Sequence, residues 1–253
     1  MFIAYLFSSS LLTSPRSQAQ GAAKNLLIGA GALALQLKPA FAVGSSGLED
    51  ANKKLSEYGL PPLLFVPPGF TPIVSEFGRG SIKEKMNNPV LVQFCHPATW
   101  VQQKTVVNKN GESGTIAAND YMKGDSAAFF TVSGASLPSD KKGAAALLLK
   151  ALSQKGDPVD DLVVKKIEEV TPGGDGQKYL NVDYSYKLNT EAGFIIGRKG
   201  VCSMTNVGTA TQLLTVALTD VRYKKYENDA RLTAESFRVY RLKSGLFSAE
   251  GSS

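Results

Sequence analysis

Residues 90–103 read VLVQFCHPATWVQQ. Val90, Leu91, Val92 and Phe94 open an extended run of strand-favouring residues. Pro97 stops it, because proline fixes φ and has no backbone donor. Trp100 is the sole tryptophan of the chain, His96 the sole histidine, and Cys95 one of two cysteines. Chemically, Cys95 and His96 suggest a nucleophile beside its base. Adjacent side chains of a strand point to opposite faces, so these two cannot readily share a proton. The expectation is one buried and one exposed side chain. A lone imidazole could still act as a pH sensor. The stretch therefore speaks for a fold: a strand, a stop, and a large ring placed to seal a sheet edge.

Downstream, the pattern stays extended. WVQQKTVV leads to NKNGES, where Asn110-Gly111 is a hairpin signal. TIAANDYMKGDS and AAFFTVSGA predict a further strand pair. Residues 139–154 predict a helix: Ser139 or Asp140 caps it, Ala144, Leu147, Leu148, Ala151 and Leu152 form one face, and Gly156 ends it. LVVKKIEEV alternates weakly. KYLNVDYSYKLN alternates well, with Leu180, Val182, Tyr184 and Tyr186 against Tyr179, Asn181, Asp183 and Ser185. Two more strands follow in GFIIGRKGVCSMTNVG and TQLLTVALTDV. RYKKYENDARLTAESFRVYRL predicts a helix with Tyr226, Ala230, Ala234 and Phe237 on one face, closing into a short strand. Strands joined by hairpins rather than by alternating helices predict an α+β fold, an antiparallel sheet with helices packed on it.

Upstream, GLEDANKKLSEYGL places Leu48, Ala51, Leu55 and Tyr58 at helical spacing, with Gly59 as a stop. Residues 61–81 carry five prolines within twelve residues yet are rich in Leu, Val and Phe. Proline excludes a regular helix or a central strand here, and an ordinary linker would be polar. The reading is an apolar, extended, stiffened arm that lies on its own domain or on a partner protein. Phe65, Phe70 and Phe77 are its candidate contact residues.

The bulk numbers exclude several functions. Lys and Arg number 28 against 22 Asp and Glu, a net +6. Residues 1–42 hold Arg16, Lys24 and Lys38 and no acid, then an apolar run, then Ala40-Phe41-Ala42, an A-x-A cleavage signal. They predict a two-part targeting segment cut after Ala42, which fits a plastid and its thylakoid lumen best, with a plain secreted or periplasmic protein as the alternative. The apolar run falls short of the roughly 20 residues that cross a bilayer. Without those three basic residues the charge falls to +3. That argues against nucleic acid, which needs a clustered basic face. IGAGAL at 28–33 mimics a dinucleotide loop but follows no strand. One histidine and no C-x-x-C give no zinc site. Glu49-Asp50, Asp160-Asp161 and Glu168-Glu169 stand outside any calcium-loop pattern, and Asp175 reads as turn chemistry. Cys95 and Cys202 either pair or stay buried as thiols. No nucleophile with a base, no acid–base pair and no cofactor motif appears, so the expectation is a protein that is not an enzyme and binds no cofactor tightly.

Phe94-x-x-Pro97-x-x-Trp100, the tyrosine-rich QKYLNVDYSYKL and the terminal RYKKYENDARLTAESFRVY, with Ser236-Phe237-Arg238-Val239, together resemble the PsbP family of extrinsic thylakoid-lumen proteins. The resemblance covers about residues 84–242 and rests on order and spacing. It departs at Arg222-Tyr223, where many relatives have Arg-Trp. It implies an α-β-α sandwich around a central antiparallel sheet, preceded by the proline-rich arm. The chain then divides into residues 43–83 as helix and arm, 84–242 as the domain and 243–253 as a flexible tail. The resemblance also implies a protein peripheral on the lumenal face of the thylakoid membrane. Its partners would be photosystem core subunits and other extrinsic subunits. The implied role is auxiliary to the oxygen-evolving complex of photosystem II, with indirect support of calcium and chloride retention; assembly factors and photosystem I subunits share the fold. Photosystem lumenal loops being often acidic, Arg222, Lys224, Lys225 and Arg231 are candidate partner contacts, with Arg238 and Arg241 nearby. The arm is foreign to the founding member and points to a divergent, algal-type relative.

Overall fold

The computed structural model describes residues 45–78, 89–108, 111–113, 115–155, 158–172, 176–190 and 193–242. The expected targeting segment, Gly156, Asp175 and the expected tail lie outside these. In chain order the elements are α1 (Ser45–Glu57), β1 (Phe70–Phe77), β2 (Val90–Pro97), β3 (Val101–Gln103), β4 (Val106–Asn108), β5 (Gly111–Ser113), β6 (Ala117–Asp120) and β7 (Asp125–Ser133). Then come α2 (Lys141–Leu152), β8 (Val159–Val170), β9 (Tyr179–Asn189), β10 (Ile195–Val207), β11 (Ala210–Thr219), α3 (Asp220–Glu235) and β12 (Arg238–Arg241).

Two sheets carry the fold, with β4–β5 as a separate small hairpin. The larger runs β3-β6-β7-β11-β10-β9-β8 and is antiparallel throughout. The smaller runs β1-β2-β12. This mixed helix and antiparallel-sheet architecture agrees with the expected α+β class. Three further details differ from the sequence reading. Gly111 is the first residue of β5 rather than part of the turn. The weakly alternating LVVKKIEEV belongs to a twelve-residue strand, β8. Residues 70–77, read as arm, form a regular strand paired along its whole length with β2. Pro72 is tolerated there because β1 is the edge of its sheet.

The larger sheet buries both faces. On one, Asp140 caps α2 by accepting from the Gly143 N–H at 2.8 Å. All five residues of the predicted helix face are buried, against Phe130, Val182, Met204 and Leu213. On the other face lie α3, through Ala230 and Ala234, and the smaller sheet, through Ile73, Val92, Phe94 and Val239. That second sheet has no counterpart in the sequence-based reading. Helix α1 then covers the outer side of the smaller sheet. Ala51 and Leu55 pack on Val74, Leu91 and Leu242, and Lys54 pairs with Glu76 at 3.0 Å. Gly59 follows with φ +66, in the left-handed region that ends a helix.

Long edge strands invite unwanted pairing. β8 avoids it with register shifts between Asp160 and Val163 and between Val164 and Lys166, with Asp161 at φ +51, and with charged side chains. At the opposite edge β3 is only three residues long, and Trp100 is buried immediately before it.

Gly200 marks the tightest approach in the sheet. A Cβ there would run into the Val216 carbonyl oxygen and the Tyr184 ring. Gly200→Ala is expected to cost about 1–3 kcal/mol of stability through overpacking. A lowered urea midpoint with an unchanged slope would show it.

Candidate functional site

The residues that carry the family resemblance meet in space. β12 pairs antiparallel with β2, placing Val239 opposite Val92 and Arg238 opposite Gln93. At the joint, the Cys95 N–H donates to Ser236 Oγ at 2.8 Å, and that hydroxyl donates to the Thr233 carbonyl at 2.7 Å. Ser236 thus ties the end of α3 to the centre of the smaller sheet. Phe237 packs against Phe129 and edge-on against Tyr179, at ring separations of 6.1 and 6.2 Å. The Tyr179 hydroxyl accepts from the Val239 N–H at 3.2 Å. Phe94, Trp100 and Phe237 share one core cluster. Pro97 ends β2 at the half-buried rim.

Cys95 and His96 do point to opposite faces, but both are buried. The expectation of one exposed partner fails because β2 is the middle strand of its sheet and both its faces are covered. Burial pushes the Cys95 thiol up to about 11, opposed by its Ser236 hydrogen bond, so it is no thiolate nucleophile at neutral pH. Cys202 is also raised by burial, and both cysteines are free. The imidazole lies between two fixed partners. The Pro97 carbonyl, at 2.8 Å, can only accept, so Nδ1 carries the proton. Nε2 then accepts from the Gln102 amide at 2.9 Å. That arrangement holds His96 neutral. Burial, partly offset by the Pro97 hydrogen bond, lowers its pKa below the ordinary imidazole value.

The arm divides at residue 70. Asn52 of α1 grips the backbone of Leu63 twice: its carbonyl accepts from the Leu63 N–H at 2.7 Å, and its amide donates to the Leu63 carbonyl at 3.3 Å. With Leu63 turned to α1, Leu64 and Phe65 stand 93% and 70% exposed. Pro61, Phe65 and Pro67 form one wall of a groove of about 590 Å³, with Gln93, Leu232 and Tyr240 opposite. Phe70 and Phe77 are placed differently. Both lie in β1, half-buried, and Phe77 packs edge-on against Phe129 at 5.2 Å. Only Phe65 of the three predicted aromatics faces solvent, and its neighbour Leu64 was missed. Gly59 and the 61–62 and 67–68 proline pairs bracket that tip and were the available signal.

The basic candidates divide as well. Arg231 donates two parallel bonds to Asp183, both 2.9 Å, and another to Glu227 at 2.8 Å. The Asp183 carboxylate is the chief reason its pKa lies above the ordinary guanidinium value. Arg222 donates to the buried Asp125 at 2.9 Å and lies over the Tyr226 ring at 4.4 Å. Lys225 also approaches that ring, at 5.2 Å. Lys224 and Lys225 are exposed. The two arginines therefore hold α3 to the sheet, and the two lysines are open to a partner. Among the described residues no helix is long and apolar enough to cross a membrane, and no three His, Cys, Asp or Glu side chains stand close enough to hold a metal ion.

No protein-family model matches the sequence. No curated protein matches it either. Among solved structures, the chain is similar to the solution structure of cyanobacterial PsbP from Synechocystis. The two are 15% identical, with a TM-score of 0.39, over 72% of this chain and 99% of that one.

The sole histidine gives a direct test of its surroundings. A base whose folded pKa is lowered stabilises the fold fully above its unfolded value, about 6.5. That contribution is lost as pH falls from there through the folded value. The urea midpoint of the wild type should drop between pH 7.5 and 5.5, and the drop should shrink in His96→Gln. Equal drops in both proteins would show that His96 does not cause it.

Proposed function

We propose that this chain is a non-enzymatic extrinsic protein of PsbP type that docks on a photosynthetic membrane complex from the thylakoid lumen. The family part of this reading is supported by the convergence of Phe94, Trp100, Ser236 and Phe237 on one joint. Residues far apart in sequence that match one family pattern have a shared structural task here. The lumenal part is supported by the two-part character of residues 1–42. The preferred partner is photosystem II, where the protein would act as an auxiliary subunit of the oxygen-evolving complex and favour calcium and chloride retention without ligating either.

The observation that carries the docking reading is the tip Leu64-Phe65. Two large apolar side chains are held in water by an arm that Asn52 and the prolines keep from collapsing. A pre-ordered segment loses little entropy on binding. Docking is therefore mainly apolar, with Lys224 and Lys225 as a weaker electrostatic contribution. The same tip favours a second reading, an assembly or maintenance factor of the same fold or a photosystem I subunit, since it is an addition to the family pattern.

Two measurements separate these readings. Washing thylakoid membranes with about 1 M salt, which screens exposed charges beyond roughly 3 Å, should leave the wild-type protein largely bound. Leu64→Ser/Phe65→Ser should be released at low salt with its melting temperature unchanged. Release of the wild type by salt alone would overturn apolar docking. Fixed stoichiometry with mature photosystem II supports the auxiliary-subunit reading. Association with assembly intermediates or with photosystem I would select the second.

A further inference from the structure

Five of the ten large apolar side chains exposed among the described residues gather at one end of the larger sheet. Strand register places them there. Asp120 faces Asp125 across the β6–β7 turn, Ser126 faces Ala217, Arg198 faces Thr219, and Ile195 faces Asn189. The β6–β7 turn, the start of α3 and the start of β10 therefore emerge side by side. Only β11 separates β7 from β10, so those strands lie about 10 Å apart. Met122 in the turn and Val221 in α3 are 94% and 91% exposed. Tyr121, Phe194 and Ile195 are 62%, 69% and 68% exposed. Single exposed apolar residues are ordinary, but a concentration of them marks a contact surface.

Shape and charge select the partner. The five side chains stand on three separate projections, a form suited to a deformable surface rather than to a complementary protein face. The acids of this end are already matched. Asp120 pairs with Lys123, Asp125 with Arg222, Asp161 with Lys187 and Asp220 with Lys199, and Asp160 accepts from Asn189. Lys224 and Lys225, exposed in the second turn of α3, and Arg198 have no carboxylate among the described residues. The end is therefore apolar at its tips and cationic behind them, the arrangement that binds anionic lipid surfaces.

Arg198 points to an anion independently of the tips. It is nine-tenths buried, yet its Nη2 donates only to neutral acceptors, the Ser126 hydroxyl at 3.2 Å and the Ala217 carbonyl at 2.7 Å. Buried charges are ordinarily paired. Its Nε is enclosed without a partner, whereas Nη1, also without one, keeps accessible surface. Arg198 lies three residues behind Ile195 on β10, about 10 Å along the strand. Side chains of interfacial proteins enter roughly 5–10 Å. Seating the tips thus brings Arg198 to the level of the headgroups.

We propose that this end of the larger sheet seats on an anionic lipid bilayer, with the five apolar side chains entering the acyl boundary and Arg198 donating to a headgroup oxyanion. The surface stands apart from the Leu64-Phe65 tip. Leu232 and Ser236, at the far end of α3, border the groove of the arm, so the two surfaces are on the order of 20 Å apart. The lipid contact holds whichever complex the arm engages.

The full chain is mixed with vesicles of equimolar phosphatidylcholine and phosphatidylglycerol whose acyl chains carry bromine, which quenches tryptophan on contact. Emission of Met122→Trp and of Phe194→Trp should shift to the blue and be quenched. Leu149→Trp, on the exposed side of α2, and the buried Trp100 of the wild type should not respond. Adding Tyr121→Ser/Ile195→Ser to Met122→Trp should weaken the response about tenfold or more, since the transfer of those two side chains drives insertion. Vesicles of phosphatidylcholine alone should respond more weakly, and Arg198→Gln should remove that difference while Trp100 emission stays native. Adding Leu64→Ser/Phe65→Ser should change nothing. No quenching at residues 122 and 194 would overturn the proposal and leave this end to a protein partner. Equal quenching at residue 149, or loss of the response on changing Leu64 and Phe65, would overturn it as well. A preference for phosphatidylglycerol that survives Arg198→Gln and disappears in Lys224→Gln/Lys225→Gln would overturn the headgroup role of Arg198.

Discussion

The pairing of β12 with β2 is the constraint on which the rest of the structure depends. It joins residues 141 positions apart at the Cys95–Ser236 contact. Closing so long a loop is entropically costly, but the cost grows only logarithmically with length. Burial of Phe94, Phe237, Tyr179 and Val239 in one cluster offsets it. The closure has three consequences. It completes the smaller sheet, whose outer side then carries α1. It presses α3 onto the larger sheet. It also makes Pro97 and Trp100 neighbours of α3, which creates a cleft between them.

Charge is used mainly inside the molecule. The arginines of α3 are matched by Asp125 on β7 and Asp183 on β9, carboxylates that the sheet presents half or fully buried. Breaking such a pair on one side leaves an uncompensated charge, so these side chains are poorly suited to be exchanged for partner contacts. The apolar tip of the arm is the opposite case. It has no internal partner for Leu64, and it is held out by hydrogen bonds made one residue earlier. Electrostatics therefore shape the fold, and the large apolar area at Leu64 and Phe65 is left to solvent.

Much of the fold was legible because its signals are local. Alternation from Leu180 to Tyr186 shows a strand with one face in a core, and the 139–154 pattern shows a helix with one buried stripe. The smaller sheet was not legible. Its third strand, β12, is separated from β2 by most of the chain, and nothing within β1 or β12 names β2 as the partner. Proline in residues 61–81 excluded a sheet interior but left an edge open, so β1 hid within an apparent arm. One of Cys95 and His96 was expected at the surface because alternation assigns faces, not whether each face is covered.

The candidate sites show the same division. Residue type and spacing by themselves determined the antiparallel strands, the capped helix, the stiff apolar arm and the signature residues, because each depends on neighbours within a few positions. They could not tell Phe65 from Phe77, nor Lys224 from Arg231. Those pairs are chemically alike and differ only in what the folded chain brings against them: solvent for Phe65 and Lys224, Phe129 for Phe77, Asp183 for Arg231. Burial and ion pairing are properties of non-local contact, and only the tertiary structure decides which side chains remain for a partner.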